Sequence, residues 1–490
     1  MEILALSNDI ITWLARHAQI IAPALALLFA TLGILSALEA IMKTRTAQGA
    51  VAWAIVLITV PPLFVPLYWI FGRRKFRGYA IAKGGSTREI DQLITSFENN
   101  YRAHQLSAQS NEKLLNSLNS LCTLPFSRGN QARLLIDGDA AFSDIFDHIR
   151  RARHYVLLEF YIVRDDEIGR TLAQLLIEKC RQGVAVHFLY DEIGSLKLSR
   201  AYIQNLRQAG VEIHPFNSTK GLGNRLQLNF RNHRKIVVCD GHYCVIGGMN
   251  IGDEYRHRHH RLSPWRDTGL AINGPAVQAV QLAFAEDWYW AREQVLTLNW
   301  NAVAAAENTQ DIAIMSSGPA DSVETCALYF QTLIHQARHR LWIVSPYFVP
   351  DPPIVQALQL AALRGVDVRI MLPELVDKQI IKLSSYTAIK ESLPHGVQFY
   401  YYQRGFLHQK VLLVDDDISA VGTANLDNRS LRLNFEICAV IHGQQCNQEI
   451  ARMLEGDFAH CRQLLPVDVA KWGLGRRLLS RCAYLFAPLQ

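Results

Sequence analysis

One signature occurs twice in this chain, and the repeat constrains its fold more than any other feature. The first copy is His233, Lys235, Asp240, Gly247, Gly248 and Asn250. The second is His408, Lys410, Asp415, Gly422, Thr423 and Asn425. Both fit H-x-K-x4-D-x6-G-[GT]-x-N at every fixed position. Each copy reads as strand, turn, strand, turn. Residues two apart on a strand share a face, so the His and Lys of each copy point together. Val411, Leu412, Leu413 and Val414 bury that strand in a sheet, and the small-residue turn lets backbone approach a ligand. A His and a Lys on one face suit a phosphate. The Lys is a point charge for its oxygens, and the His is a nucleophile or general acid/base near neutral pH. A lone H-x-K is ordinarily a buried strand with polar ends; its repetition overturns that reading.

The repetition extends beyond the signature. In the first copy a buried strand (152–162) precedes a helix (171–181), a stop at Gly183 and a second strand (184–191). In the second copy a strand (337–348) precedes a helix (354–364), a stop at Gly365 and a strand (366–372). Each copy then adds a helix, a strand (211–216; 397–402) and the signature hairpin. Strands alternating with helices predict an α/β fold, a mostly parallel sheet with helices on both faces. Two such units predict a pseudo-dimer, joined at 301–311.

The N-terminus differs in kind. Residues 20–38 and 50–71 carry no charge, and each run is long enough to cross a bilayer. Pro61, Pro62 and Pro66 kink the second run, which membrane helices tolerate. Tyr68 and Trp69 stand where an interfacial aromatic belt would be. Arg73, Arg74, Lys75 and Arg77 follow, whereas the intervening loop has only Lys43 and Arg45 as basic residues. The positive-inside bias then puts both ends of a membrane hairpin, and everything after it, in the cytoplasm. A secretory signal would need a basic n-region, which Met1–Ile10 lacks. A buried helical hairpin of a soluble core is the alternative. The expected organisation is a membrane hairpin (1–77), a helical linker (78–120), a first catalytic domain (121–300) and a second (312–490).

The remaining features add less. Net charge is +6, which fits an anionic surface without establishing one. Nine cysteines without C-x2-C spacing fit reduced thiols rather than disulfides or zinc. Cys239 and Cys244, beside the first hairpin's turn, read as strand core. The run of Arg and His at 256–261 reads as a loop that helps bind anionic head groups; the ligand spacing of a metal site is missing. The basic and aromatic tail, 471–490, is either an interfacial helix or a last helix packed on the second domain.

The paired motifs resemble those of the phospholipase D superfamily. Their flanks, G-G-M-N-I-G-D-E-Y and W-R-D after the first and N-L-D-N-R-S-L-R-L-N-F-E after the second, resemble bacterial cardiolipin synthases. The resemblance covers nearly the whole chain. It implies two phospholipase D-like βα sandwich domains whose hairpins meet in one site. It also implies His233 as nucleophile and His408 as acid/base, although the near-symmetry of the halves leaves that order open. Lys235, Lys410, Asn250 and Asn425 would hold the phosphate oxygens, and Asp267 and Glu436 would tether the histidines. Asp240 and Asp415 complete the motif, at strand ends that suit structure more than chemistry. Gly248 stands where the second copy has Thr423, so the half-sites are unequal.

The implied reaction is reversible phosphatidyl transfer between two phosphatidylglycerols, giving cardiolipin and glycerol through a phosphohistidine. Exchanging one phosphodiester for another is nearly isoenergetic, and no G-x4-G-K-[ST] loop is present. No metal or cofactor is expected. The expected setting is the bacterial inner membrane, without a nucleic-acid partner. The alternatives are a hydrolase releasing phosphatidic acid, a nuclease of the same superfamily, and a non-catalytic membrane scaffold.

Overall fold

The computed structural model describes residues 2–72, 76, 79, 100–106, 113–216, 229–307 and 310–490. The chain divides into two compact units, Met1–Lys75 with Thr219–Asn229, and Phe76–Ser218 with Phe230–Gln490.

The first unit begins with one long helix, Glu2–Lys43. Its segment His17–Lys43 is long and apolar enough to cross a membrane, and it is the one such helix among the described residues. The second apolar run, expected as another span, is broken. It forms Ala47–Thr59, restarts as Pro61–Leu67 and ends in a π-helical turn, Tyr68–Gly72. Prolines lack an amide donor, so Pro61 can open a helix but cannot continue the one before it. Small residues let the helices touch: a Cβ on Gly33 would lie 2.4 Å from the Leu57 carbonyl oxygen. Ala37 and Ala40 pack with Leu57, Val65 and Tyr68, and Trp69 Nε1 donates to Ser36 Oγ at 3.2 Å. Small faces of this kind drive helix association where water is absent. Leu27, Leu35, Ile41, Ile55 and Ile58 point outward, exposed. The basic cluster after Phe71 lies outside the described residues, as does most of the linker; within that linker the described helix is Lys113–Asn119.

The second unit carries both signature copies on one sheet. From one edge its strands run Cys461–Leu464, Gln398–Tyr402, Asp367–Pro373, Arg340–Val344, Val411–Val414, Ile418–Gly422, Asn434–His442 and Gln310–Ser317. They continue with Ser127–Ile136, Thr268–Asn273, Tyr243–Gly247, Ile236–Cys239, Tyr155–Phe160, Ala185–Tyr190 and Glu212–Pro215. Apart from the added edge strand Cys461–Leu464, the order reads alike outward from the centre. The halves meet through the first strand of each, antiparallel, with Asn130 opposite Gln310.

The sheet is mixed, and this corrects the expectation of a mostly parallel one. Along the main strand order the parallel pairs are the outer strands of each half, such as Tyr155–Phe160 beside Ala185–Tyr190. The hairpin strands reverse through turns too short for a crossover, so they must be antiparallel to one another. Helices Glu167–Arg181 and Pro352–Leu363 occupy equivalent places. Asp166 and Asp351 cap their starts, and Gly183 and Gly365, at φ 85° and 90°, end them.

Candidate active site

The hairpins are clamped at the end away from their histidines. Asp240 carboxylate oxygens accept the amides of Arg153, His154 and Tyr155, each at 2.8 Å. Asp415 does the same for Arg338, His339 and Arg340, at 2.8–3.0 Å on the shortest contacts. Both aspartates sit at positive φ, 53° and 51°, a conformation short polar side chains tolerate. Each Asp stands five positions after its motif Lys, roughly 16 Å along a strand. The third signature residue therefore fixes the hairpin on its neighbouring strand. Asp240 and Asp415, named with the histidines and lysines in the motif, have their carboxylates on backbone amides at the strand ends.

At the other end each hairpin reaches into the opposite half. Arg231–Asn232 pairs in parallel with Asn434–Phe435, and Phe406–Leu407 with Trp265–Arg266. His233 N–H donates to the Phe435 carbonyl at 2.9 Å, and His408 N–H to the Arg266 carbonyl at 2.7 Å. Each histidine thus lies beside the acid of the other half. His233 Nδ1 is 2.8 Å from Glu436 Oε2, and His408 Nδ1 is 2.7 Å from Asp267 Oδ2. Both expected tethers are present, but crossed. The carboxylates engage Nδ1, so Nε2 of each ring is left for chemistry.

The carboxylates are supported differently. Glu436 also accepts from Thr423 Oγ1 at 2.6 Å, Ser430 Oγ at 2.7 Å and Asn434 Nδ2 at 3.1 Å. Asp267 accepts the Thr268 amide at 2.8 Å, and a Cβ on Gly248 would lie 2.1 Å from its Oδ1. Glycine at 248 is thus a steric requirement of the aspartate. Burial alone would push Glu436 up, but the charge and hydrogen bond of His233, with Lys235 and Thr423, hold it below the usual carboxylate range.

Lys235 Nζ donates to its own His233 carbonyl at 2.7 Å and lies 5.4 Å from the Tyr161 ring centroid. Lys410 Nζ likewise donates to the His408 carbonyl. Burial lowers Lys235 to about 7 and Lys410 to about 8. Burial, with the nearby lysines, lowers both histidines to about 4. Both imidazoles are therefore weaker bases than a free histidine. A phosphodiester between them would offset the lysine charges and raise their proton affinity.

The asparagines divide. Asn250 Oδ1 accepts the Ile162 amide at 3.0 Å and its Nδ2 donates to Tyr255 Oη at 2.7 Å, so it braces the framework. Asn425 Oδ1 is buried with no hydrogen-bond partner among the described residues. Aromatic rings absent from the sequence reading line the histidines: Tyr161 lies 5.1 Å from His233, Trp265 5.5 Å and Tyr255 6.0 Å from His408, centroid to centroid. Ser430 and Asn434 were also missed; both lie in the stretch between Asn425 and Glu436, where a hydroxyl or amide beside a buried acid is the available signal.

The Arg and His run folds on itself. Arg256 pairs with Asp139 and Arg258 with Glu167, while the His257 and His259 Nδ1 atoms accept backbone amides. Among the described residues no group of three or more His, Cys, Asp or Glu is placed to hold a metal ion.

Paired hairpins thus meet across the seam of the two halves, each histidine on a carboxylate of the other. The family described as cardiolipin synthase, phospholipase D-like domain, matches residues 145–288 and 330–458. The chain is similar to cardiolipin synthase A of Pseudomonas fluorescens, 43% identical over 463 residues, covering 94% of this chain and 96% of that one. Identity is 45% with cardiolipin synthase A of Pseudomonas putida F1, again covering 94% of this chain and 96% of that one. It is 43% with that of Pseudomonas aeruginosa LESB58, covering 94% of each. The phosphatidylserine synthase of Haemophilus influenzae shares the fold, with a TM-score of 0.58 at 15% identity over 77% of this chain and all of that one. The chain belongs to the cardiolipin synthase family. It is an enzyme of the phosphatidyltransferase class.

Proposed function

We propose that this enzyme joins two phosphatidylglycerols into cardiolipin and glycerol. The observation that carries the reading is the crossed pair: two buried imidazoles, each with Nδ1 on a carboxylate of the opposite half. His233 Nε2 attacks phosphorus of the first lipid. The bond to the glycerol oxygen breaks, and His408 supplies that oxygen with a proton. A hydroxyl of the second lipid then gives its proton to His408 and attacks the phosphohistidine. The P–N bond breaks and cardiolipin leaves. Lys235 and Lys410 neutralise the non-bridging oxygens as charge builds.

The two acids are unequally supported, which suits different roles for the two histidines. Glu436 accepts from four donors. Asp267 accepts from two. Labelled phosphatidylglycerol tests both points. Cardiolipin with matching glycerol release, lost in His233→Ala and His408→Ala, is the expected result. Mainly phosphatidic acid would mean that water takes the second step. Covalent label on His233→Ala protein would reverse the two histidines.

Residues 121–300 and 312–490 serve as the catalytic domains, 1–77 as a membrane hairpin with two passes and 78–120 as the linker. The catalytic domains are assigned to the cytoplasmic face of the inner membrane. The support is the charge bias of Lys43 and Arg45 against Arg73, Arg74, Lys75 and Arg77. Alkaline phosphatase fused after Arg45 should be active, and fused after Arg77 inactive; the reverse would invert the topology.

A further inference from the structure

The C-terminal helix, Leu474–Tyr484, has its apolar face on the wrong side for a soluble protein. Its inner face is small or polar. Ser480 and Ala483 are buried, and Arg476 stacks at 4.2 Å over Tyr386 and 4.8 Å over Trp472. Its outer face is leucine-rich: Leu474 is 83% exposed, Leu478 63%, Leu485 78% and Phe486 55%. A surface helix normally buries its large apolar side chains and shows water its polar ones. From Lys471 to Gln490 the chain has Lys471, Arg476, Arg477 and Arg481 and no acidic residue. Leucines facing out between long basic side chains match a bilayer whose surface is anionic, where the side-chain stems lie along the interface and the charges reach the head groups.

The far end of this tail is fastened to the site. Arg429 N–H donates to the Gln490 carbonyl at 2.8 Å, and Arg429 Nη1 to the Leu489 carbonyl at 3.1 Å. Arg429 belongs to the short helix Asn428–Arg432, between Asn425 and the Glu436 tether. Ala487 and Tyr484 pack with Val349, Ile381 and Tyr347 below it.

We propose that helix Leu474–Tyr484 with Leu485 and Phe486 docks on an anionic phospholipid surface, a membrane contact separate from the N-terminal unit, and so holds the loop after Asn425 at that surface. The contact deepens the lipid-transfer reading, but its first test does not depend on activity. Cys482 is exposed, whereas the other cysteines are buried or half-buried. In full-length protein with Cys122, Cys180 and Cys461 changed to Ser, bimane on Cys482 is read in nanodiscs of phosphatidylglycerol and phosphatidylcholine containing spin-labelled lipid. Strong quenching is expected, lost in pure phosphatidylcholine discs at high salt. An unquenched dye overturns the proposal. A dye shielded only as protein concentration rises also overturns it, and marks the face as a contact between copies.

The second test uses Leu474→Gln, Leu478→Gln, Leu485→Gln and Phe486→Gln together. Activity on phosphatidylglycerol vesicles should fall about tenfold, with the rate on monomeric short-chain phosphatidylglycerol unchanged. An equal fall on both substrates, or none on vesicles, rejects the docking role. If neither form turns over phosphatidylglycerol, the function above fails while the quenching result still decides this contact.

Discussion

Around His233 the tethering acid is a glutamate hung on Thr423, Ser430 and Asn434; around His408 it is an aspartate held by a backbone amide and pressed against Gly248. A second difference lies behind these pairs. Each half has a buried helix aspartate that binds a guanidinium, but the arginine comes from opposite strands. Asp287 takes Arg234, the middle residue of the first H-x-K, at 2.6 Å, with Phe435 facing it. Asp457 takes Arg266, on the strand beside the second H-x-K, at 2.9 Å through two bonds, and Gln409 stands in the Arg234 position. The ion pair is kept and its delivery exchanged. Duplicated halves can thus diverge residue by residue provided that each buried charge retains a partner. Tether geometry is shared; proton affinity and packing around it are free to specialise.

The sharpest way to break that comparison is to remove one acid at a time. Asp267→Asn should cost about 10⁴-fold in turnover, since an amide cannot stabilise the imidazolium it orients. Glu436→Gln should be comparably severe, but through the nucleophile. Quenched-flow labelling separates them: the Glu436→Gln enzyme should be slow chiefly in forming the covalent intermediate, and the Asp267→Asn enzyme slow both in forming and in discharging it, because His408 is the acid of the first step and the base of the second. Equal discharge rates in the two variants would show that the halves do not divide the roles.

The exchanged arginines come next in size. Arg266→Phe leaves the Asp457 carboxylate buried with only Gln409 nearby, and should destabilise the folded protein by about 3–5 kcal/mol. Adding Gln409→Arg installs the first half's solution in the second and should recover at least half of the loss in melting temperature. No recovery would mean that the two arrangements are not interchangeable.

The residues that made the fold legible were periodic or repeated. The matched helices ended where Gly183 and Gly365 said they would, and the hairpins lay where the spacing of His, Lys and Asp put them. The α/β class, the doubled unit, the family and the two acids could all be read from the chain. What could not be read is a matter of the third dimension. Asp267 follows His233 in its own half, yet binds His408, because the cross-half pairings set by the seam bring it there. The contacts of Asn250 with the Ile162 amide and the Tyr255 hydroxyl join residues far apart or only loosely related in the chain, which spacing alone does not show. Tyr161, nowhere near His233 in sequence, flanks it through the sheet. In the second apolar run the prolines read as a kink, whereas Pro61 opens a separate helix after Ala47–Thr59 has ended.

A steric exchange probes the comparison more finely. Gly248→Thr copies the second half's turn residue into the first, where the new Cβ meets Asp267. We expect activity to fall about a hundredfold, through displacement of the His408 tether, with a loss in kcat rather than in KM. Thr423→Val removes one of the donors to Glu436 and leaves the rest, so its loss should be about tenfold. Equal losses would mean that the glycine is not fitted to its aspartate.

The smallest expected effect concerns what the halves share, buried cations, and it appears in stability. Lys235 binds its proton with a value of about 7 when folded, against an ordinary 10.5, because burial disfavours the charge. Lys410 is lowered to about 8 for the same reason. Between those values and 10.5 the unfolded chain holds more protons than the folded one, so stability should rise as pH climbs through that window. The histidines, lowered to about 4 from 6.5, add a second rise over the acid window, and stability should fall as pH drops through it. Lys235→Met removes the charge and keeps most of the packing. It should abolish transfer while raising the melting temperature at pH 7 by roughly 2–4 °C, with a flatter dependence above pH 7. Lys410, less depressed, should give a smaller gain on the same exchange. A melting temperature that falls in both variants would mean that the folded site already stabilises its lysines, and that these charges are not held in reserve for phosphate.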